Sequence, residues 1–153
     1  MTRIYIDADG CPVKQEVYKV AWRHGLKVTV VANARMRVPE DEDVEQVVVD
    51  GSFDAADDWI VSRASRDDIV ISSDIPLAAR ALEKGARVLG PNGREFTPDS
   101  IGEAMANREL MAYLRESGTL TGGPAPFERR DRSRFLQRLE EIIQSMVRLR
   151  PVE

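Results

Sequence analysis

The chain is poor in the residues from which many catalytic sites are built. Among 153 residues, Cys11 is the one cysteine and His24 the one histidine. That excludes an internal disulfide framework, fits a reducing cytoplasm, and leaves no nitrogen and sulfur ligand set for zinc. Lysine is scarce, with four against 18 arginines, so a catalytic lysine has few candidates. Aromatic residues make up 6%; base stacking has little to draw on, and Phe127 is the best placed. No apolar run approaches the ~18 residues of a membrane span. No charged-then-apolar leader opens the chain, because its first residues already read as a strand. A cytoplasmic protein with no membrane partner is the expectation. Neither G-x-G-x-x-G nor G-x-x-x-x-G-K-[ST] occurs, so the usual dinucleotide and ATP fingerprints are missing.

What is present is acid, unevenly spread. Residues 38–62 hold nine Asp and Glu and no Lys or Arg, whereas residues 129–150 hold seven Arg against Asp131, Glu140 and Glu141. An acidic centre with a basic tail suits a metal-dependent enzyme acting on a phosphate backbone; two solvated faces would look the same. The most telling stretch is Arg3-Ile4-Tyr5-Ile6-Asp7-Ala8-Asp9-Gly10-Cys11-Pro12. An apolar strand ends in two carboxylates spaced i, i+2, then a tight turn and a Pro that can open a helix. Two acids so close repel unless a cation or a shared proton relieves them.

Strand and helix patterns alternate from there. Strands are expected at 3–6, 27–32, 44–49, 69–73 and 86–89, and helices from Pro12 to Gly25, from Ala55 to Ser65 and from Pro76 to Gly85. Alternation of this length implies right-handed crossovers and a mostly parallel sheet of about five strands in a three-layer α/β/α fold. A capping-box pattern, Ser100-Ile101-Gly102-Glu103, starts a fourth helix. A loop from Thr119 to Arg132 leads to a fifth, from about Ser133 to Leu149, with Phe135, Leu139, Ile142, Ile143 and Met146 on one packing face. Length and pattern read as one domain, 1–153, made of an α/β core (1–98) and a C-terminal helical extension (99–153).

Parallel strands point their carboxyl ends one way, so three acidic segments should converge: Asp7 and Asp9 after the first strand, Asp54, Asp57 and Asp58 at the start of the second helix, and Asp74 after the fourth strand. Carboxylate oxygens suit Mg²⁺ or Mn²⁺, which can activate water and neutralise charge on a phosphodiester. The plainer reading is that Asp54 and Asp74 cap helices and that one of Asp57 and Asp58 is solvated. Asn33 and Arg35 after the second strand, and Arg37, Arg129, Arg130, Arg132 and Arg134, are candidate substrate contacts; Ser72 and Ser73 could donate to a phosphate or orient Asp74. Cys11, with no histidine nearby in sequence, reads as structural.

Two stretches carry a resemblance. Asp54-Ala55-Ala56-Asp57-Asp58-Trp59-Ile60-Val61 and Asp68-Ile69-Val70-Ile71-Ser72-Ser73-Asp74-Ile75-Pro76-Leu77-Ala78 resemble the acidic core of PIN-like and 5′-nuclease domains. Asp7 is similar to their first-strand carboxylate, and Asp57, Asp58 and Asp74 fall on later ones. An acid before the doublet falls on Ala55, with Asp54 beside it, and the second acid of the strand motif falls on Pro76. Over its whole length, through Tyr5 to Lys14, Val31-Ala32-Asn33 and Thr121 to Phe127, the chain also resembles the YaiI/YqxD family of uncharacterised bacterial proteins. The resemblance implies a PIN-like core. It makes a nuclease or phosphodiesterase, acting on RNA, the leading expectation. Asp7, Asp58 and Asp74 would be catalytic, and Asp7, Asp9, Asp57, Asp58 and Asp74 would hold Mg²⁺ or Mn²⁺. Asn33, Arg35, Ser73, Arg129 and Arg130 would contact the nucleic acid. Two alternatives remain open. Asp7-Ala8-Asp9-Gly10 also matches the first motif of haloacid-dehalogenase-type phosphatases, with Asp7 as nucleophile and Asp9 as acid. A non-catalytic RNA- or protein-binding module would keep the fold without a full metal set.

Overall fold

A computed structural model describes residues 2–52, 54–122 and 125–148. In chain order the elements are β1 (Arg3–Asp7), α1 (Lys14–His24), β2 (Lys27–Ala32), β3 (Val44–Val48), α2 (Ala55–Arg63), β4 (Ile69–Ile71), α3 (Ile75–Glu83), β5 (Arg87–Leu89), β6 (Glu95–Phe96), α4 (Ile101–Glu116) and α5 (Arg129–Arg148). The sheet order is β3-β2-β1-β4-β5-β6. Pairing is parallel from β3 through β5, and β6 alone runs antiparallel, with Val88 opposite Phe96. The sheet is mostly parallel, as expected, with a sixth strand the sequence did not announce. Two residues of β6, Glu95 and Phe96, give no alternation to read.

Period-two alternation sorts the strand residues to two helical layers. Ile4, Ile6, Val28, Val30, Ile69, Ile71 and Leu89 pack with α1 and α5, while Tyr5, Val31, Val70 and Val88 pack with α2, α3 and α4. The C-terminal helix is therefore part of the core. Phe135, Leu139, Ile142 and Ile143 of α5 are almost fully buried. At ~1.5–3 kcal/mol each, four such side chains contribute a gross stabilisation comparable to the net stability of a small domain. The backbone of α5 also presses on the β5–β6 turn: a Cβ at Gly93 would lie 2.7 Å from that of Arg134. Only glycine fits there, with its φ of +89°.

Several helix starts differ from the expected ones. Pro12 does not open α1; Cys11 N–H closes a turn onto Ala8 O at 3.1 Å, and the helix begins at Lys14 after Val13. Asp54 occupies the N-cap position of α2 but makes no capping hydrogen bond, and its left-handed φ of 66° turns the carboxyl elsewhere. Ser100 does not complete a capping box. It pairs reciprocally with Thr97: Thr97 N–H donates to Ser100 Oγ and Ser100 N–H to Thr97 Oγ1, both at 3.1 Å. Helix α5 starts about one turn earlier than expected, because Asp131 accepts from Glu128 N–H at 2.9 Å and makes the start its own cap. The Gly123-Pro124 step and Leu149 lie outside the described residues.

Candidate functional site: an acidic cleft at the strand switch point

The chain builds β1, adds β2 and β3 on one side, then crosses to place β4 on the other. The order reverses between β1 and β4, and open α/β sheets bind ligands at the carboxyl ends of strands at such a point. Asp7 is the last residue of β1, and Ser72 follows β4 directly. Ser72 is almost fully buried and ties the two strand ends together. Its Oγ donates to Asp7 Oδ2 at 2.8 Å and accepts from Asp74 N–H at 2.9 Å. Asp74 Oδ1 in turn accepts from Leu77 N–H at 3.0 Å and caps α3. Asp74 is thus the cap it was expected to be and a cleft residue as well, with Oδ2 uncommitted to the cap.

A cleft of about 460 Å³ opens over these ends, lined by Asp7, Asp9, Asn33, Asp54, Asp57 and Asp74, with the Gly51-Ser52 turn at its rim. Asp9 Oδ2 accepts from Asn33 N–H at 3.2 Å, which joins the β1 and β2 loops. Five carboxyl groups from three segments therefore share one depression. Burial and the neighbouring charges raise two of them, Asp57 and Asp7. Burial pushes the Asp57 carboxyl up to about 7, reinforced by Asp74, Asp7 and Asp54 and opposed by Arg80. Burial also raises Asp7; the Ser72 hydrogen bond opposes it, and Asp74 and Asp9 add to it.

Other predicted residues lie elsewhere. Asp58 is one residue past Asp57, and the ~100° helical step carries it to the exposed face. There it pairs with Arg80 Nη1 at 2.8 Å rather than facing the cleft. Arg35 is exposed on the β2–β3 loop, and Arg129 and Arg130 are exposed in the first turn of α5, where Arg130 pairs with Glu128. None of the three lines the cleft. Ser73 turns to the neighbouring pocket. The sequence offered Ser72 and Ser73 alike for orienting Asp74, and it is Ser72 that does so. The Ser-Ser-Asp ending of a buried strand was the available signal, and only strand register says which serine points inward.

The chain matches the family model described as "Uncharacterized BCR, YaiI/YqxD family" over residues 5–145. It is 57% identical over 152 residues to the UPF0178 protein of Rhodospirillum centenum, covering 97% of this chain and 99% of the relative. Its similarity to the UPF0178 protein of Parvibaculum lavamentivorans is 58% over 151 residues, covering 99% of each. The chain belongs to the YaiI/YqxD family. The resemblance to that family stated from the sequence is therefore correct, and the aspartate cleft is a feature of a YaiI/YqxD protein.

The YaiI/YqxD cleft fits a divalent cation in one way and not in another. Among the described residues, no three His, Cys, Asp or Glu side chains are gathered closely enough to cage a metal. Mg²⁺, however, usually takes one or two carboxylates and keeps several waters, and a cation in the cleft would offset the burial and the neighbouring carboxylates that raise Asp7 and Asp57. The donor set is all oxygen, hard and anionic. It suits a water-rich Mg²⁺ or Mn²⁺ site and no softer metal. Among the described residues, no helix is long and apolar enough to cross a membrane.

Proposed function

We propose that the protein is a Mg²⁺- or Mn²⁺-dependent nuclease or phosphodiesterase acting on RNA, with the aspartate cleft as its active site. The observation that carries this reading is the convergence of Asp7, Asp57 and Asp74 at the β1/β4 switch point, with the Asp57 carboxyl pushed up to about 7. The resemblance of the same acids to a PIN-like core agrees with it. Asp7 is the fixed member: Ser72 orients one oxygen and leaves the other for a ligand. Asp74 offers the oxygen that its cap does not use. Asp57 holds a proton near neutrality on a carboxyl facing the same space, and ionises when positive charge enters the cleft. When bound there, a divalent cation supplies charge neutralisation at the phosphate and activation of an attacking water.

The phosphatase reading needs a lysine beside the Asp7-Ala8-Asp9 motif. The nearest by sequence, Lys14, donates from Nζ to the main-chain oxygens of Cys11 at 2.8 Å and Ala8 at 3.4 Å, and no lysine lines the cleft. Asp57 of α2 and Asp74, the N-cap of α3, face the space instead, which favours phosphodiester chemistry. The test is a panel of single-stranded and structured RNA beside a phosphomonoester, each with Mg²⁺, Mn²⁺ or EDTA. Cleavage of RNA that needs the metal and falls at least ~100-fold on Asp7→Asn and on Asp74→Asn supports the proposal. Phosphomonoester hydrolysis untouched by Asp57→Asn would reverse it in favour of a phosphatase, and no activity with any metal would favour a binding module.

A further inference from the structure

A second depression, of about 280 Å³, lies on the same carboxyl edge of the sheet, beyond the acidic cleft. Its lining includes Gly10 and Ser73, the chain neighbours of Asp9 and Asp74, so only the β1–α1 and β4–α3 connections separate the two. Its character is opposite. Phe127 and Phe96 supply aromatic surface, and among the described residues it holds no carboxylate. The volume is at the low end for ligand pockets, enough for one ring system rather than an extended ligand.

The aromatic wall is held in place. Arg132 lies over one face of the Phe127 ring, 5.2 Å from its centroid, and is itself fixed by Glu16 and by Pro12 O. Phe96 is buried in the core, with Arg94 5.7 Å from its centroid. Hydrogen-bonding groups sit at the rim. Asn92 spends its Oδ1 on Arg94 N–H, which leaves its NH₂ to donate, and the Ser73 hydroxyl is exposed beside it. A rigid aromatic surface with a few polar groups at the edge, next to positive charge, matches the chemistry of a nucleobase.

We infer that this pocket receives one unpaired base of a single-stranded nucleic acid, stacked on Phe127, while the adjoining phosphate lies over the acidic cleft. The inference rests on the phosphodiester reading of that cleft and adds a substrate class to it: single strands or loops, not duplex, because a paired base cannot leave its stack cheaply. One base in one small pocket gives position without a sequence code.

The test is a thermodynamic cycle between base and ring. End-labelled single-stranded RNA and DNA of the same sequence, intact or with one abasic position moved along the strand, are titrated by fluorescence anisotropy in Mg²⁺ with wild type, Phe127→Leu and Phe127→Trp. Leucine keeps apolar volume against the core and loses the aromatic face; circular dichroism checks its fold. At one position, base removal should weaken wild-type binding about five- to a hundredfold. Phe127→Leu should show the same loss with intact strand and no further loss with the abasic one, and Phe127→Trp should bind like wild type. Additive effects at every position, wild-type affinity in Phe127→Leu, or no binding of either strand would overturn the inference. The two proposals fail separately. Metal-dependent cleavage with no base–Phe127 coupling refutes the pocket alone, and coupling without cleavage by any metal refutes the nuclease alone.

Discussion

Asp57→Asn removes a carboxyl that burial, reinforced by its acidic neighbours, pushes up to about 7, and its effect on stability has a sign that can be worked out. An unfolded Asp titrates near ~3.9, whereas the folded Asp57 titrates at about 7. Between those values the folded chain holds a proton that the unfolded chain has released. Stability is therefore fully present below about pH 4, falls as pH rises, and has lost all it will lose once pH passes about 7. At 1.36 kcal/mol per pH unit the ceiling is ~4 kcal/mol. Asp57 is 9% exposed, but the cleft beside it is open to water, and screening brings the expected loss to about 1–2 kcal/mol. Asp7 shifts in the same direction and steepens the slope. The assay is urea denaturation in EDTA at several values between about pH 5 and 8, compared with the same series in Mg²⁺. In EDTA, wild type should lose about 1–2 kcal/mol across that range while Asp57→Asn stays flatter and ends the more stable of the two. Mg²⁺ should return stability to wild type at the alkaline end and do less for the variant. Wild-type stability that rises over this range in EDTA, or an Asp57→Asn protein as destabilised at the alkaline end as at the acid end, would refute the reasoning.

Other residues give sharper, smaller tests. Asp74→Ala should cost ~1 kcal/mol through the lost α3 cap, whereas Asp74→Asn keeps the cap and sheds the charge, and should match or exceed wild type in metal-free thermal melts. Ser72→Ala removes the hydroxyl shared by Asp7 and the Asp74 amide; it should destabilise by about 1–3 kcal/mol and push the Asp7 carboxyl further up, read by carboxyl NMR titration. Leu139→Ala should cost ~2–5 kcal/mol in chemical denaturation, because α5 is core. Replacing Arg129 and Arg130 by Ser should weaken RNA binding and reduce the salt dependence of the binding constant by up to about two in slope, without a comparable change in the cleavage step.

The parallel core was legible because its inner strands are runs of mostly apolar or β-branched residues between clear stops: Lys27–Ala32 ends at Asn33, and Gly25 closes α1 in a left-handed turn. The cleft was legible because strand polarity alone carries Asp7, Asp57 and Asp74 to one edge. What failed depends on angles that spacing does not fix. The Asp57-Asp58 pair reads as a doublet, but a helix sends its members to different surfaces, one to the cleft and one to Arg80. Asp54 has the residue type of a cap and the backbone of a left-handed turn. Ser100 has the spacing of a capping box, but Thr97 competes for its hydroxyl. The aromatic pocket joins Phe96 of β6 and Phe127 just before α5, 31 residues apart, and no local pattern connects them.

The proposed phosphodiester chemistry depends on a cation between the carboxylates of the cleft. Isothermal calorimetry of Mg²⁺ and Mn²⁺ into the metal-free protein, run near neutral pH in two buffers of different ionisation enthalpy, reads both binding and proton release. Saturable binding at or below millimolar metal, with a fraction of a proton released from Asp57 at about its pKa of 7, and loss of that binding in Asp7→Asn, is the expected result. No saturable heat at metal concentrations up to about 10 mM, or binding that Asp7→Asn leaves intact, would contradict the assignment of this cleft as a metal-dependent active site.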